Sequence, residues 1–151
     1  MEKKRIVMGS DHAGYHLKLK VKAHLEARGF EVMDVGTHTT DSCNYTVYAD
    51  ALCKAIAAGE ADLGILVCGT GIGMSMCANK YDGIRAAVCG DTFSARMTRC
   101  HNDANVLCIG ARVTGSCLAT DILDSFLGAE FEGGRHAVRV GMIADIEKSQ
   151  K

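Results

Sequence analysis

The chain has 151 residues, with 17 Lys and Arg against 18 Asp and Glu, for a formal net charge of −1. This length suits one domain around one hydrophobic core, and 48% hydrophobic residues are too many for a disordered chain. The balanced charge provides no basic face for a phosphate backbone, so we expect no nucleic-acid partner.

The chain lacks the apolar runs that direct export or membrane insertion. Ile6, Val7 and Met8 end at Gly9, short of the ~7–15 apolar residues of a signal-peptide core, and no run approaches the ~20 residues that cross a bilayer. The eight cysteines include no pair separated by two to four residues, which argues against a zinc ribbon or a thioredoxin motif. We therefore expect a cytoplasmic protein with unpaired cysteines and no membrane contact.

Five continuous apolar runs predict buried parallel strands, at residues 5–9, 31–35, 63–68, 85–89 and 106–109. Stretches with apolar residues at helical spacing lie between and after them, at residues 17–25, 51–56, 91–99, 118–126 and 138–146. Asp91 or Thr92 is expected to cap the helix that follows it. The alternation predicts an α/β fold with a parallel sheet and helices on both faces.

The last predicted helix has an apolar stripe, Val138, Met142, Ile143 and Ile146, and no strand follows it. The stripe has to be covered by the chain's own sheet or by a second subunit. Of these two alternatives, cover by a second subunit, which means a dimer, is the more specific prediction.

Two segments follow predicted strands, at the sheet edge where ligands bind in open parallel sheets. The first, residues 9–14, carries Asp11 and His12. The second is Cys68-Gly69-Thr70-Gly71-Ile72-Gly73, whose alternate glycines let backbone amides surround an anion. The same glycines would also serve a plain strand-to-helix turn. Met74 stands where the dinucleotide-binding pattern needs glycine, which disfavours NAD.

Three further features carry possible chemistry. Cys68 is either an unreactive core residue at the end of a buried strand or a base whose thiolate form is favoured by the positive end of a helix. His101 lies in a polar cluster that is either a solvated helix end or part of a site. Arg135 and Arg139 share one helix face, where they either converge on an anion or remain solvated.

Six sequence motifs occur along the chain in the order found in one protein family. GSDHAG at 9–14, CGTGIG at 68–73, ANK at 78–80, GIRA at 83–86, HNDAN at 101–105 and EGGRH at 132–136 together resemble the ribose-5-phosphate isomerase B family over essentially all 151 residues. Another branch of that family has a glutamate base where Met74 stands, so the chain resembles the branch with a cysteine base.

The resemblance implies a single isomerase domain over residues 1–151, folded as a three-layer α/β/α sandwich with a five-stranded, Rossmann- or flavodoxin-like parallel sheet and an extra C-terminal helix. It implies a homodimer, which in some relatives pairs into tetramers, with active sites shared between subunits. The implied reaction interconverts ribose 5-phosphate and ribulose 5-phosphate through an enediolate, without metal or other cofactor. Two alternatives remain: isomerisation of a six-carbon phosphosugar, such as allose or galactose 6-phosphate, and a non-catalytic phosphosugar-binding module.

The same resemblance assigns roles to individual residues. Cys68 is implied as the base, Thr70 as its hydroxyl assistant and His101 as the acid/base that opens the sugar ring. The remaining implied residues bind the substrate or its phosphate: Asp11, His12, Tyr45, Gly69, Gly71, Ile72, Gly73, Asn102, Arg112, Arg135 and Arg139. Relatives often have proline where Thr46 stands, so we expect a less rigid loop at Tyr45.

Overall fold

The computed structural model describes residues 3–151 as one five-stranded parallel sheet and six helices. The strands are β1 (Ile6–Ser10), β2 (Val32–Asp34), β3 (Leu63–Cys68), β4 (Ala86–Val88) and β5 (Val106–Gly110). The helices are α1 (Tyr15–Ala27), α2 (Tyr45–Ala57), α3 (Ile72–Ala78), α4 (Thr92–Asn102), α5 (Ser116–Leu127) and α6 (Arg135–Ser149).

The sheet separates two apolar cores. One core lies between the sheet and helices α1, α4 and α5, and includes Val21, Phe126 and Ile65. The other lies between the opposite face of the sheet and helices α2 and α3, and includes Leu52, Met74 and Leu66. Because successive side chains of a strand point to opposite faces, Ile65 and Leu66 enter different cores. The predicted three-layer sandwich with five parallel strands is confirmed.

Strands β2 and β4 are shorter than predicted. Each has only three residues, and Met33 and Val88 on them remain 38% and 41% exposed. Both strands lie at edges of the sheet, where a strand has a neighbour on one side only. Their apolar runs were therefore wrongly interpreted as covered on both faces.

The sheet order, β2-β1-β3-β5-β4, places β5 between β3 and β4. The last two strands are thus exchanged relative to the flavodoxin order 2-1-3-4-5. As a result β5 pairs directly with β3, and Cys68 lies opposite Gly110. This exchange brings the segment after β5 beside the segment after β3.

The helix termini follow local sequence. Asp91 caps α4, since its carboxylate accepts a hydrogen bond from the Ser94 amide at 2.7 Å. Tyr45 is the first residue of α2 and does not belong to a loop. The stripe on α6, Val138, Met142, Ile143 and Ile146, is more than half exposed at every position. None of the helices within residues 3–151 has both the length and the apolar character needed to span a membrane.

Candidate active site

Cys68 ends β3, and the glycine loop (residues 68–73) turns from it into α3. The Gly71 amide donates a hydrogen bond to the Cys68 sulfur at 3.1 Å, and the Ile72 amide donates one to the Thr70 hydroxyl at 3.2 Å. Gly71 has φ of +80°, a conformation that glycine adopts without steric cost. The loop therefore aims the Gly71 amide at the sulfur of Cys68, a residue that is 5% exposed.

The segment after β1 lies against the same strand end. The Asp11 amide donates to the Val67 carbonyl at 3.2 Å, and the Asp11 carboxylate accepts from the Gly14 amide at 3.0 Å. A Cβ on Gly14 would lie 2.2 Å from the Val67 carbonyl oxygen, so only glycine permits this approach. Asp11 and His12 are thereby held beside the glycine loop, as predicted for the ends of neighbouring parallel strands.

The Nδ1 atom of His12 accepts a hydrogen bond from the Cys43 amide at 3.2 Å. An accepting Nδ1 places the hydrogen of a neutral imidazole on Nε2. His12 therefore has an N–H to offer a sugar hydroxyl or phosphate oxygen.

Two more predicted residues contact the glycine loop. The ring of Tyr45 lies against Gly73, where a Cβ would be 2.8 Å from Tyr45 Cζ. The Arg112 amide donates to the Gly69 carbonyl at 3.0 Å, and its guanidinium lies next to the Gly69 Cα. The structure thus brings together a cysteine group, consisting of Asp11, His12, Tyr45, residues 68–73 and Arg112.

The other predicted residues form a second cluster, the histidine group: His101, Asn102, Arg135 and Arg139. His101 and Asn102 end α4, and Arg135 begins α6. The rings of His101 and His136 stack with centroids 4.1 Å apart and planes 6° apart, which places the first turn of α6 against the last turn of α4.

Within one chain the two groups lie at opposite ends of the strands: the cysteine group at the carboxyl ends and the histidine group at the amino ends. Cys68 is beside Gly110, the last residue of β5. The Asn102 carbonyl instead accepts a hydrogen bond from Arg85 Nε at 3.0 Å. Arg85 directly precedes β4, at the end of the sheet where the strands begin. The five residues of β5 span roughly 16 Å. One chain alone therefore does not assemble all the predicted site residues around Cys68.

Glu132 and His136 were not predicted to act at the site. One Glu132 carboxylate oxygen, Oε1, lies 3.5 Å from Nε2 of both His101 and His136. The ligand atoms of these three residues lie within 4.8 Å of one another. The two rings are nearly parallel, however, so an ion midway between them would lie well outside both ring planes, away from the nitrogen lone pairs. We therefore assign no metal to the cluster.

Burial raises the pKa of three other cysteine thiols. It raises the pKa of Cys53 to about 12 and that of Cys89 to about 11, and it raises the pKa of Cys108 well above its ordinary value. These three thiols stay protonated near neutral pH and serve as apolar core residues. Cys68 differs from them because a backbone amide donates to its sulfur.

Comparisons with known proteins show the family to which the chain belongs. A family model described as Ribose/Galactose Isomerase matches residues 6–143. The chain belongs to the ribose/galactose isomerase family. This confirms the family resemblance and the expectation of an isomerase.

Individual relatives match nearly the whole chain. Ribose-5-phosphate isomerase B of Escherichia coli is 51% identical over 145 residues, covering 96% of this chain and 97% of its own. The structure of Clostridium thermocellum ribose-5-phosphate isomerase B has a TM-score of 0.96 at 52% identity, over 97% of this chain and 99% of that chain. The Mycoplasma genitalium enzyme of the same name, with bound ribulose-5-phosphate, has a TM-score of 0.91 at 40% identity, over 95% and 96% of the two chains.

Proposed function

We propose that residues 1–151 form one sugar-phosphate isomerase domain that interconverts D-ribose 5-phosphate and D-ribulose 5-phosphate, with Cys68 as the base. The hydrogen bond from the Gly71 amide to the Cys68 sulfur carries this proposal. An amide that donates to sulfur favours the thiolate, which is the basic form. The relatives named ribose-5-phosphate isomerase B support the choice of substrate.

The proposed reaction starts from the open-chain aldose. The Cys68 thiolate removes the proton from C2, and the electron pair moves to give a cis-enediolate with negative charge on O1. The thiol then returns the proton to C1, while the Thr70 hydroxyl helps to transfer a proton between O2 and O1. The C1 aldehyde becomes an alcohol and the C2 alcohol a ketone, so the step needs no external oxidant or reductant.

The amides of residues 69–73 stabilise the enediolate. Charge develops on the sugar oxygens in the transition state, and preorganised backbone donors stabilise such charge without reorganising. One loop therefore supplies both the base and the oxyanion donors. The proposal requires no metal or other cofactor.

His101 is the proposed acid/base for ring opening. Ribose 5-phosphate is mainly a furanose, and its ring opens when a proton reaches the ring oxygen and the proton of the C1 hydroxyl is removed. Arg112 of one chain and Arg135 and Arg139 of a second chain are proposed to hold the phosphate, whose geometry suits guanidinium groups. Asp11, His12, Tyr45 and Asn102 are proposed to hold the sugar hydroxyls and the phosphate end.

The separation of the two groups supports a homodimer with shared sites. In a two-fold symmetric pair the histidine group of each chain lies beside the cysteine group of its partner and completes the site there. The exposed stripe on α6 supplies an apolar surface for a second copy. Pairing of dimers into tetramers stays a prediction, as does a cytoplasmic location, which the unpaired cysteines of the described chain support.

A six-carbon phosphosugar is the second candidate substrate, because the matched family model covers galactose as well as ribose isomerases. A panel of ribose 5-phosphate, allose 6-phosphate and galactose 6-phosphate would rank the substrates by kcat/KM. A non-catalytic binding module would bind these sugars saturably without turnover.

The first experiment measures conversion of ribose 5-phosphate by the purified protein in excess chelator. Cys68→Ala is tested in parallel, with the exposed Cys117→Ala as the matched control. We expect Cys68→Ala to bind phosphosugar and to retain less than about a tenth of wild-type kcat. A higher kcat in Cys68→Ala would contradict the assignment of the base, and an inactive wild-type protein would contradict the proposed substrate.

A mixing experiment tests the shared site. Cys68→Ala and His101→Asn chains are each expected to be poor catalysts of ribose 5-phosphate conversion. When equal amounts are dissociated and reassociated, random two-fold pairing restores about a quarter of the intact sites. Activity in the mixture no greater than the sum of the separate variants would contradict a shared site.

A further inference from the structure

The segment before α6 and the first turn of α6 are docked on the end of α4 by three contacts. The Glu132 amide donates a hydrogen bond to the Cys100 carbonyl at 3.0 Å. The Glu132 side chain places Oε1 3.5 Å from Nε2 of His101 and of His136. The imidazole of His136 stacks flat on that of His101, with 4.1 Å between centroids. His101 is therefore bounded by a carboxylate at one nitrogen and by a ring across one face.

The two imidazoles differ in environment. Only 10% of the His136 side chain is exposed, whereas 38% of the His101 side chain is exposed. Burial lowers the pKa of His136 below its ordinary value, and electrostatic interactions with the His101, Arg135 and Arg139 side chains lower it further, against the opposing effect of Glu132. His136 therefore stays neutral near pH 7 and serves as an uncharged flat surface for the His101 ring.

We propose that Glu132 and His136 are positioning residues for His101: the Glu132 carboxylate selects which nitrogen of His101 carries the fixed hydrogen, and His136 holds the plane of the ring. This inference rests on the proposed ring-opening role of His101. In this proposal the negative charge of Glu132, whose Oε1 lies 3.5 Å from Nε2 of His101, favours the tautomer with its hydrogen on Nε2 and leaves Nδ1 to exchange a proton with the sugar. The arrangement follows the general pattern in which a third group orients a catalytic base.

Two assays separate ring opening from isomerisation. Turnover of ribose 5-phosphate needs both steps. Ribulose 5-phosphate has its C5 oxygen phosphorylated, cannot close a furanose ring and remains open-chain. Exchange of its C1 hydrogen with D₂O, followed by proton NMR, needs the Cys68 base and the enediolate but no ring opening. Both assays are run on the assembled protein in excess chelator, so that metal binding at the cluster does not contribute.

The variants separate the contributions of charge and ring. Glu132→Gln removes the carboxylate charge and Glu132→Asp keeps it. His136→Ala removes the stacked ring, and His136→Phe restores a flat ring without nitrogen. Glu130→Gln is the matched control, because Glu130 is an exposed glutamate in the same segment. His101→Asn reports the full loss of the ring-opening group.

We expect Glu132→Gln and His136→Ala to lower kcat for ribose 5-phosphate about tenfold, a part of the ~10²–10⁴-fold that a positioned acid/base contributes. Their C1 exchange rates should stay within about twofold of wild type, which also establishes that the variants are folded and assembled. Glu132→Asp and His136→Phe should recover most of the lost kcat, and Glu130→Gln should change neither rate.

Other patterns overturn the inference. Equal losses in both assays for Glu132→Gln and His136→Ala would mean a structural role, and no loss in either assay would mean no role. Equal losses in both assays for His101→Asn would refute the ring-opening role itself, and this inference with it. Selective loss in His101→Asn without selective loss in the Glu132 and His136 variants would refute only the positioning role.

Discussion

The Gly71 amide nitrogen lies 3.1 Å from the Cys68 sulfur, in a loop where Gly71 has φ of +80°. A Cβ at this position would also lie 3.1 Å from the backbone carbon of Ile109. The amide that favours the thiolate thus depends on a conformation and a clearance that only glycine provides.

Gly71→Ala is expected to lower kcat at least about tenfold, because a strained loop no longer aims its amide at the sulfur. Steady-state kinetics would measure this effect. Gly90→Ala is the control, since Gly90 has open space around its Cα and no positive φ. Wild-type kcat in a folded Gly71→Ala protein would contradict a role for this hydrogen bond.

Gly14→Ala is expected to destabilise the fold by about 2 kcal/mol or more. Its Cβ would meet the Val67 carbonyl oxygen at 2.2 Å, and backbone in the central strand cannot move away as a flexible side chain can. Urea denaturation measures the free energy of unfolding. A change under about 0.5 kcal/mol would mean that the contact relaxes freely.

Lys18 is a fully buried lysine whose ammonium donates to the Asp34 carboxylate at 2.7 Å and to the Thr37 carbonyl at 2.5 Å. Lys18→Met leaves the buried carboxylate without its main partner, and we expect a loss of about 3 kcal/mol in unfolding free energy. Adding Asp34→Asn should recover part of that loss. The exposed Lys20→Met is the control, and no recovery in the double variant would argue against an electrostatic cause.

Ile143→Glu is expected to convert the proposed dimer into a monomer without lowering the stability of the single chain. Ile143 is 52% exposed on α6, so a charge there costs little until a second copy covers it. Analytical ultracentrifugation would measure the mass, and turnover of ribose 5-phosphate should fall together with the dimer. Asp145→Asn on the same helix is the control. An unchanged dimer would place the interface elsewhere.

Acid should weaken the fold partly through His136. Because the pKa of His136 is lowered in the folded state, mainly by burial, the unfolded chain takes up this proton first as the pH falls below 6.5. The contribution to stability is therefore present above that pH and is lost as the pH falls toward the folded pKa. His136→Phe should reduce the fall in the urea denaturation midpoint between pH 7.5 and pH 5.5. His38→Asn, which replaces an exposed histidine, is the control. An unchanged drop would contradict this origin.

Residues whose role depends on local pattern were predictable from the sequence. The apolar run at residues 63–68 gave β3 with both ends correct, because a central strand is covered on both faces. The cap at Asp91 and the glycine loop also follow from neighbouring residues. Contacts between distant residues were not predictable: Lys18 lies on a helix where lysine normally faces solvent, and only the segment at residues 34–37 makes its burial favourable.

The same limit explains the incomplete prediction of the site. Glu132 and His136 lie 31 and 35 residues after His101, and they meet it only because α6 packs on α4. The motif at residues 132–136 carried the family resemblance, but spacing gave no sign that its histidine stacks on another. Arg112 reaches the glycine loop because β5 pairs with β3, an order that apolar runs alone do not determine.

Because the cysteine and histidine groups of one chain lie at opposite ends of the strands, the proposed dimer has a genetic consequence. Two diverged copies of the chain can divide the chemistry, one keeping the cysteine group and the other the histidine group, and each mixed pair retains one complete site. Loss of either group from one copy is therefore recessive. A chain that loses both groups inactivates every wild-type chain with which it pairs.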